Sequence, residues 1–235
     1  MERKDYNIIS EERTSTATLP AIMKKVYLWM AFALAITGLT AANVAGSQAM
    51  LQTLASGGMI WILFIAELGL VWYLSARIMN LSVTTATIMF IIYSALNGVT
   101  MSFIFLAYTA TSISTVFFIT AGTFGITALV GMFTKRDLSS MGGLLFMALI
   151  GIIIASIANM FIHSEGINLF ISYAGVLLFV GLTAYDSQKI KNMLMQTDGE
   201  GETAHKIALM GALSLYLDFI NLFLYLLRIF GERRN

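Results

Sequence analysis

Apolar positions in this chain run on rather than alternate. Seven stretches, roughly 26–46, 58–77, 83–108, 115–133, 141–162, 167–190 and 206–230, are almost continuously apolar. A helix that is hydrophobic all round has no face for water. Each stretch is about 19–26 residues long, enough to cross a ~30 Å hydrocarbon core with some tilt. The polar connections are short, so neighbouring helices are expected to form antiparallel hairpins. The pattern predicts an all-α membrane protein: one helical domain, 23–235, behind a polar N-terminal tail, 1–22. The tail has no hydrophobic period and is expected to be disordered or to lie on a surface. Pro20, the only proline, precedes the first stretch, so any break inside a span must come from Gly, Ser, Thr or Asn.

Lys24-Lys25 followed by the first apolar run resembles a signal peptide, and Thr40-Ala41-Ala42 would serve as its cleavage site. The length of the run and the six that follow favour a retained first helix. Small residues four apart, Ala121/Gly125, Thr127/Gly131 and Gly151/Ala155, suit close helix packing within the chain, with an oligomer interface as the alternative. The last helix is expected to begin at the turn 197–203, with Thr203 as its N-cap.

Composition agrees with the membrane reading. Charged residues make up 11% of the chain and hydrophobic ones 58%, with a mean hydropathy of +0.81. A soluble domain carries about 25% charged residues. Orientation follows from where the cations lie rather than from their sum. Lys24, Lys25, Arg77, Lys135, Arg136, Lys189 and Lys191 fall on one side, while the connections 47–57, 109–114 and 163–166 hold no Lys or Arg. The positive-inside rule then puts the N-terminus in the cytoplasm. Arg228, Arg233 and Arg234 break the pattern if the seventh run crosses fully. A full crossing is expected from its length, and a re-entrant seventh segment is the alternative. With no cysteine there is no thiolate chemistry, and two histidines are too few for a transition-metal site. His163 and His205 are expected to be solvated helix-end residues. No phosphate-binding loop, nucleophile elbow or zinc-protease motif is present, so no enzymatic role, resident cofactor or nucleic-acid partner is expected.

Three carboxylates lie within the apolar runs: Glu67, Asp186 and Asp218. An ionisable group at the bilayer centre costs about 2.5–3.5 kcal/mol on insertion scales and is a functional candidate by default. Asp218 sits mid-run in Leu215-Tyr216-Leu217-Asp218-Phe219-Ile220-Asn221. Asp186 lies near the edge of the sixth apolar run, but Lys189 to Gln196 contains no breaker, so that helix is expected to project into the cytoplasm. Asp186 then lies ten residues, roughly 15 Å, above the turn, and Asp218 lies fourteen residues, roughly 21 Å, beyond it on the returning helix. The two can face each other. Two close carboxylates in a low dielectric do not both ionise easily, so such a pair shares a proton and titrates in two steps. The competing reading is structural, with Asp218 hydrogen-bonded to an amide and only pinning its helix. Asn221, three residues on, can hold a carboxylate or a cation or merely link helices; Asn97 and Asn159 are expected to link helices. Glu67 is either a third oxygen donor or the partner of an arginine. Arg77 is expected to snorkel to the surface, with a latch onto the aspartates as the alternative.

The run from Ala212 to Phe223, followed by Leu226-Leu227-Arg228-Ile229-Phe230-Gly231, strongly resembles the closing signature of the Bax inhibitor-1 family, the transmembrane Bax inhibitor motif proteins. Gly181-Leu182-Thr183-Ala184-Tyr185-Asp186 and Lys135-Arg136-Asp137-Leu138-Ser139 fit the same family. The resemblance covers about Lys24 to Gly231 and is strongest to bacterial inner-membrane members. It implies a seven-helix bundle with the C-terminal helix central. It also implies a pH-sensitive calcium leak gated by a hydrogen-bonded aspartate pair, which maps onto Asp186 and Asp218. The family's acidic residue in helix two maps onto Glu67. Its latch arginine falls near Arg77, one residue short of the family spacing.

The expected function is therefore a calcium leak in which protonation of Asp186 and Asp218 shifts a gate. Glu67, Asp186 and Asp218, with Asn221, carbonyls and water, would offer Ca²⁺ a transient set of oxygens. Two other readings compete. One is a regulatory membrane protein that binds a partner such as a membrane protease and carries no flux. The other is a proton-coupled transporter of an unknown solute.

Overall fold

The computed structural model describes residues 2–197 and 201–234, with side chains from Leu19 onward. Asp198 and Glu200, expected in a solvated turn, lie outside the described residues. Nine α-helices form among the described residues: α1 (Glu2–Ala45), α2 (Gln48–Ala55), α3 (Met59–Arg77), α4 (Val83–Met101), α5 (Ile104–Ala107), α6 (Ala110–Phe133), α7 (Met141–Ile162), α8 (Glu165–Met195) and α9 (Glu202–Phe230). Seven segments are long and apolar enough to cross a membrane: Leu19–Ala45, Met59–Asn80, Val83–Ala107, Ala110–Phe133, Met141–Ile162, Glu165–Met195 and Glu202–Phe230. Their outward faces carry large apolar side chains, Trp61, Trp72, Phe118 and Phe161 among them. Lipid accepts such a surface; water does not.

Local chemistry sets the helix ends. Ser82 and Thr109 are N-caps whose hydroxyls accept from the N–H of Thr85 at 3.1 Å and of Ser112 at 3.3 Å. These bonds satisfy donors that the first helical turn leaves unpaired. Gly57 and Gly58, both at positive φ, make the turn from α2 into α3.

Three expectations are corrected. The polar tail is helical from Glu2 and runs into the first span, with Pro20 inside the helix. Its Glu, Arg, Lys and Ile residues tolerate a helix, which the lack of hydrophobic period concealed. The last helix begins at Glu202, so Thr203 lies within it and is not its cap. The third span is interrupted: α4 ends at Met101 and α5 resumes at Ile104. Ser102 makes the break, its N–H and its hydroxyl both donating to the Val99 carbonyl, at 3.2 and 2.6 Å. That tightened turn replaces the helical ladder.

The chain forms two compact units. One comprises the described residues of Met1–Phe103 and Ile190–Leu213. In it α4 packs on α1 and α3. The Thr37 hydroxyl donates to the Ser94 carbonyl at 2.9 Å, and a Cβ on Gly98 would meet the Thr37 carbonyl at 2.6 Å. Near the start of α9, Lys206 pairs with Glu202 at 2.9 Å and donates to the Met79 carbonyl at 3.2 Å.

The other unit comprises the described residues of Ile104–Lys189 and Ser214–Asn235. Phe117 and Phe124 of α6 meet Phe219 of α9 edge-on, each at 5.5 Å between centroids. Gly131 of α6 lies against the Ala184 backbone of α8, and a Cβ there would collide with the Ala184 carbonyl oxygen. Gly125 and Gly151 have no neighbour within 4 Å of a built Cβ, so of the three small-residue pairs only that of Gly131 brings its glycine against another helix.

The chain after α9 turns onto the connection between α5 and α6. The Thr109 N–H donates to the Glu232 carbonyl at 3.1 Å, and that of Arg234 to the Ala107 carbonyl at 2.9 Å. Tyr108 and Arg233 form an isolated antiparallel bridge. The seventh run is one unbroken helix of 29 residues, with no re-entrant turn.

Candidate functional site

Helix α9 is the most enclosed of the seven: 72% of its most apolar window is buried, against 11–33% for the others. Around Asp218 the side chains of Leu215, Tyr216 and Leu222 are wholly buried, and Asp218 itself is 5% exposed. An apolar wall of this kind gives a carboxylate no solvent, so its oxygens need protein partners. Among the described residues Oδ2 of Asp218 has none: it is buried without a hydrogen bond.

The neighbouring charge is Asp186, close enough for the two carboxylates to act on each other. Both lie in the second unit. Asp186 is half-buried, with Lys189 as the cation acting on it. The Lys189 ammonium lies 5.7 Å from the Tyr185 ring centroid. Helix α8 does continue past Lys189 to Met195, as the depth comparison required. Among the described residues no hydrogen bond joins the two carboxylates; they are neighbours through charge.

Glu67 belongs to the first unit and is 7% exposed. Its Oε1 accepts from the Thr100 hydroxyl at 2.9 Å, Asn97 supplies a further hydrogen bond, and Tyr93 lies within reach of its charge. Glu67 is thus held by neutral donors from α4, not by an arginine. Among the described residues no group of three or more His, Asp or Glu side chains gathers as a metal site would.

Arg77 ends α3 exposed and in no ion pair among the described residues, the arrangement of a snorkelling side chain. Asn221 donates to the Leu217 carbonyl of its own helix at 2.8 Å, which leaves its Oδ1 as an acceptor for a cation or a donor. Asn97 does link helices, through Glu67. Asn159 does not: its Oδ1 accepts from the Ser164 N–H at 3.1 Å across the α7–α8 turn. His163 closes α7 in a left-handed conformation, φ 56°, and is exposed.

Two residues beside Asp186 were not singled out from the sequence. Gln188 reaches the connection after α6: its Oε1 accepts from the Leu138 N–H at 2.7 Å and its Nε2 donates to the Arg136 carbonyl at 2.8 Å. Ser187 is buried with its hydroxyl unpartnered among the described residues. The signal was available as the polar run Asp186-Ser187-Gln188-Lys189 that follows the apolar stretch of this helix.

Seven helices of this length and apolarity define a multi-pass integral membrane protein. A sequence profile of the family described as "Inhibitor of apoptosis-promoting Bax1" matches residues 19–235. Inner membrane protein YbhL of Escherichia coli K12 is 50% identical over 220 residues, covering 93% of this chain and 94% of that protein. An uncharacterized protein of Borreliella burgdorferi is 42% identical over 228 residues, covering 97% of this chain and 98% of its own length. Protein RP147 of Rickettsia prowazekii, also uncharacterized, is 40% identical over 232 residues, covering 99% of this chain and 98% of its own. The chain belongs to the Bax inhibitor-1 family.

Proposed function

We propose that the chain is a calcium leak of the bacterial inner membrane whose conductance responds to pH through Asp186 and Asp218. The observation that carries the proposal is the unpartnered Oδ2 of Asp218, enclosed by apolar side chains with Asp186 as its neighbouring charge. A purely structural aspartate would have its oxygens satisfied. A carboxylate left in want of a donor is served by a proton when the cavity is acidified, or by a cation when it is not. Two like charges in a low dielectric favour one shared proton, and losing it adds negative charge to the cavity. Cation affinity then rises with pH.

Ca²⁺ takes about 6–8 oxygen ligands when held tightly. The aspartates, backbone carbonyls and water would offer fewer, and weak binding suits passage. Glu67, bonded to Thr100 and Asn97, is left out of this set. The family resemblance supports calcium as the cargo, and the name of the Escherichia coli relative supports the inner membrane. The distribution of Lys and Arg supports a cytoplasmic N-terminus. The enclosure of α9 supports a central place for it in the bundle, as the resemblance implies.

The test is Ca²⁺ entry into proteoliposomes from pH 5 to 8. Wild type should give flux above empty liposomes that varies with pH, and Asp218→Asn should flatten the pH profile. No flux with folded protein, or an unchanged profile in the variant, overturns the proposal.

A further inference from the structure

Arg228 breaks the charge rule of the sequence, yet the structure gives it a defined place. It forms one wall of a cavity of about 530 Å³ in the second unit, bounded also by the end of α7 and the start of α8. Small-ligand sites span about 300–1,000 Å³. The guanidinium is held from two sides. Nη1 donates to Oδ1 of Asn168 at 3.3 Å, and the group lies 5.4 Å over the Tyr225 ring, which stacks on Phe179. Its other N–H groups remain available.

Two amides on the same wall are oriented by what their oxygens accept. Oδ1 of Asn168 faces Arg228, and Oδ1 of Asn159 faces the Ser164 N–H, which leaves both Nδ2 groups as donors. The opening N–H groups of α8 have no intrahelical acceptor and add a favourable field for negative charge. This donor set suits the oxygens of a phosphate. Glu165, on the same lining, argues against a ligand that is only negative and provides a counter-charge for a cation. The complement is a ligand of both signs.

The position of the cavity supplies the source. It lies at the α7–α8 turn, whose connection has no Lys or Arg, at the end of two membrane-length helices. The same turns send Phe161 and Phe170 outward, 81% and 72% exposed. Headgroups meet protein at that level, with acyl chains alongside. We propose that this cavity binds the zwitterionic phosphate–ammonium headgroup of an amino-phospholipid, its phosphate on Arg228, Asn159 and Asn168 and its ammonium on Glu165.

The test is native mass spectrometry of delipidated protein, titrated with phosphatidylethanolamine, with phosphatidylglycerol of the same chains, and with soluble phosphoethanolamine. Wild type should retain phosphatidylethanolamine about tenfold more strongly than phosphatidylglycerol, the effect of one charge-assisted contact. Arg228→Gln should weaken both lipids. Glu165→Gln, an isosteric change at an exposed position, should keep phosphate binding and lose the discrimination. Displacement of the lipid by phosphoethanolamine supports the headgroup chemistry and shows that a free zwitterion suffices; its failure to compete assigns the site to lipid. Equal retention of the two lipids by wild type, or unchanged binding in both variants, overturns the proposal.

Discussion

Gln188 lies two residues beyond Asp186 and ties α8 to the connection 136–138 through two hydrogen bonds. Each such bond contributes about 1 kcal/mol net. Gln188→Leu should therefore lower stability by about 2 kcal/mol and speed hydrogen exchange at Leu138, leaving the helix ends near His163 unchanged. Unchanged exchange at Leu138 would show that the amide does not hold the connection. Asp137 in the same connection accepts from the Ser139 N–H at 2.9 Å, and the Ser139 hydroxyl and N–H hold its carboxyl below the usual carboxylate range. Its contribution is present above the ordinary aspartate pKa and is lost as pH falls through the lowered value. A response between pH 5 and 8 must therefore arise elsewhere. At this scale the sequence showed which side chains were chemically unusual but not their partners. Asp218 stood out because a lone carboxylate in an apolar run is costly. Asn221 was open to linking helices or holding a cation; the structure adds a bond from its Nδ2 back to the Leu217 carbonyl, a partner that side-chain identity does not encode.

Elements were legible to the extent that hydropathy determines them. Each of the seven apolar runs corresponds to a helix of spanning length, because continuous apolarity over about 20 residues has few other solutions. The break at Met101–Phe103 was not legible, since a serine in a membrane helix more often bonds back to its own helix without breaking it. The chain after α9 was equally hidden, being too short to carry a period. Its pairing makes a prediction. Truncation after Gly231 removes the acceptor of the Thr109 N–H, the donor to the Ala107 carbonyl and the Glu232 N–H bond to the Ser112 hydroxyl at 2.8 Å. Amide exchange at Thr109 should then rise by an order of magnitude or more, about the effect of losing one or two hydrogen bonds. No change there would mean that the tail rests on α5 and α6 without restraining them.

Over the whole molecule the most apolar windows of six spans are 11–33% buried and that of α9 is 72% buried. Large apolar side chains lie on the outside, and the scarce carboxylates Glu67 and Asp218 lie inside. That inversion of a soluble protein was readable from composition alone. The allocation of the carboxylates was not: Glu67 read as a third oxygen donor beside the aspartates or as the partner of an arginine, and the structure gives it Thr100 and Asn97 while Oδ2 of Asp218 has no partner among the described residues. If Asp186 and Asp218 act as one titrating unit, a double-mutant cycle will show it. Ca²⁺ flux would be recorded from pH 5 to 8 for wild type, Asp186→Asn, Asp218→Asn and the double variant. Groups that share one proton are grossly non-additive, so each single variant should lose the pH response as completely as the double variant does. If the single variants each remove part of the response and their effects add in the double variant, the aspartates titrate independently and the account is wrong.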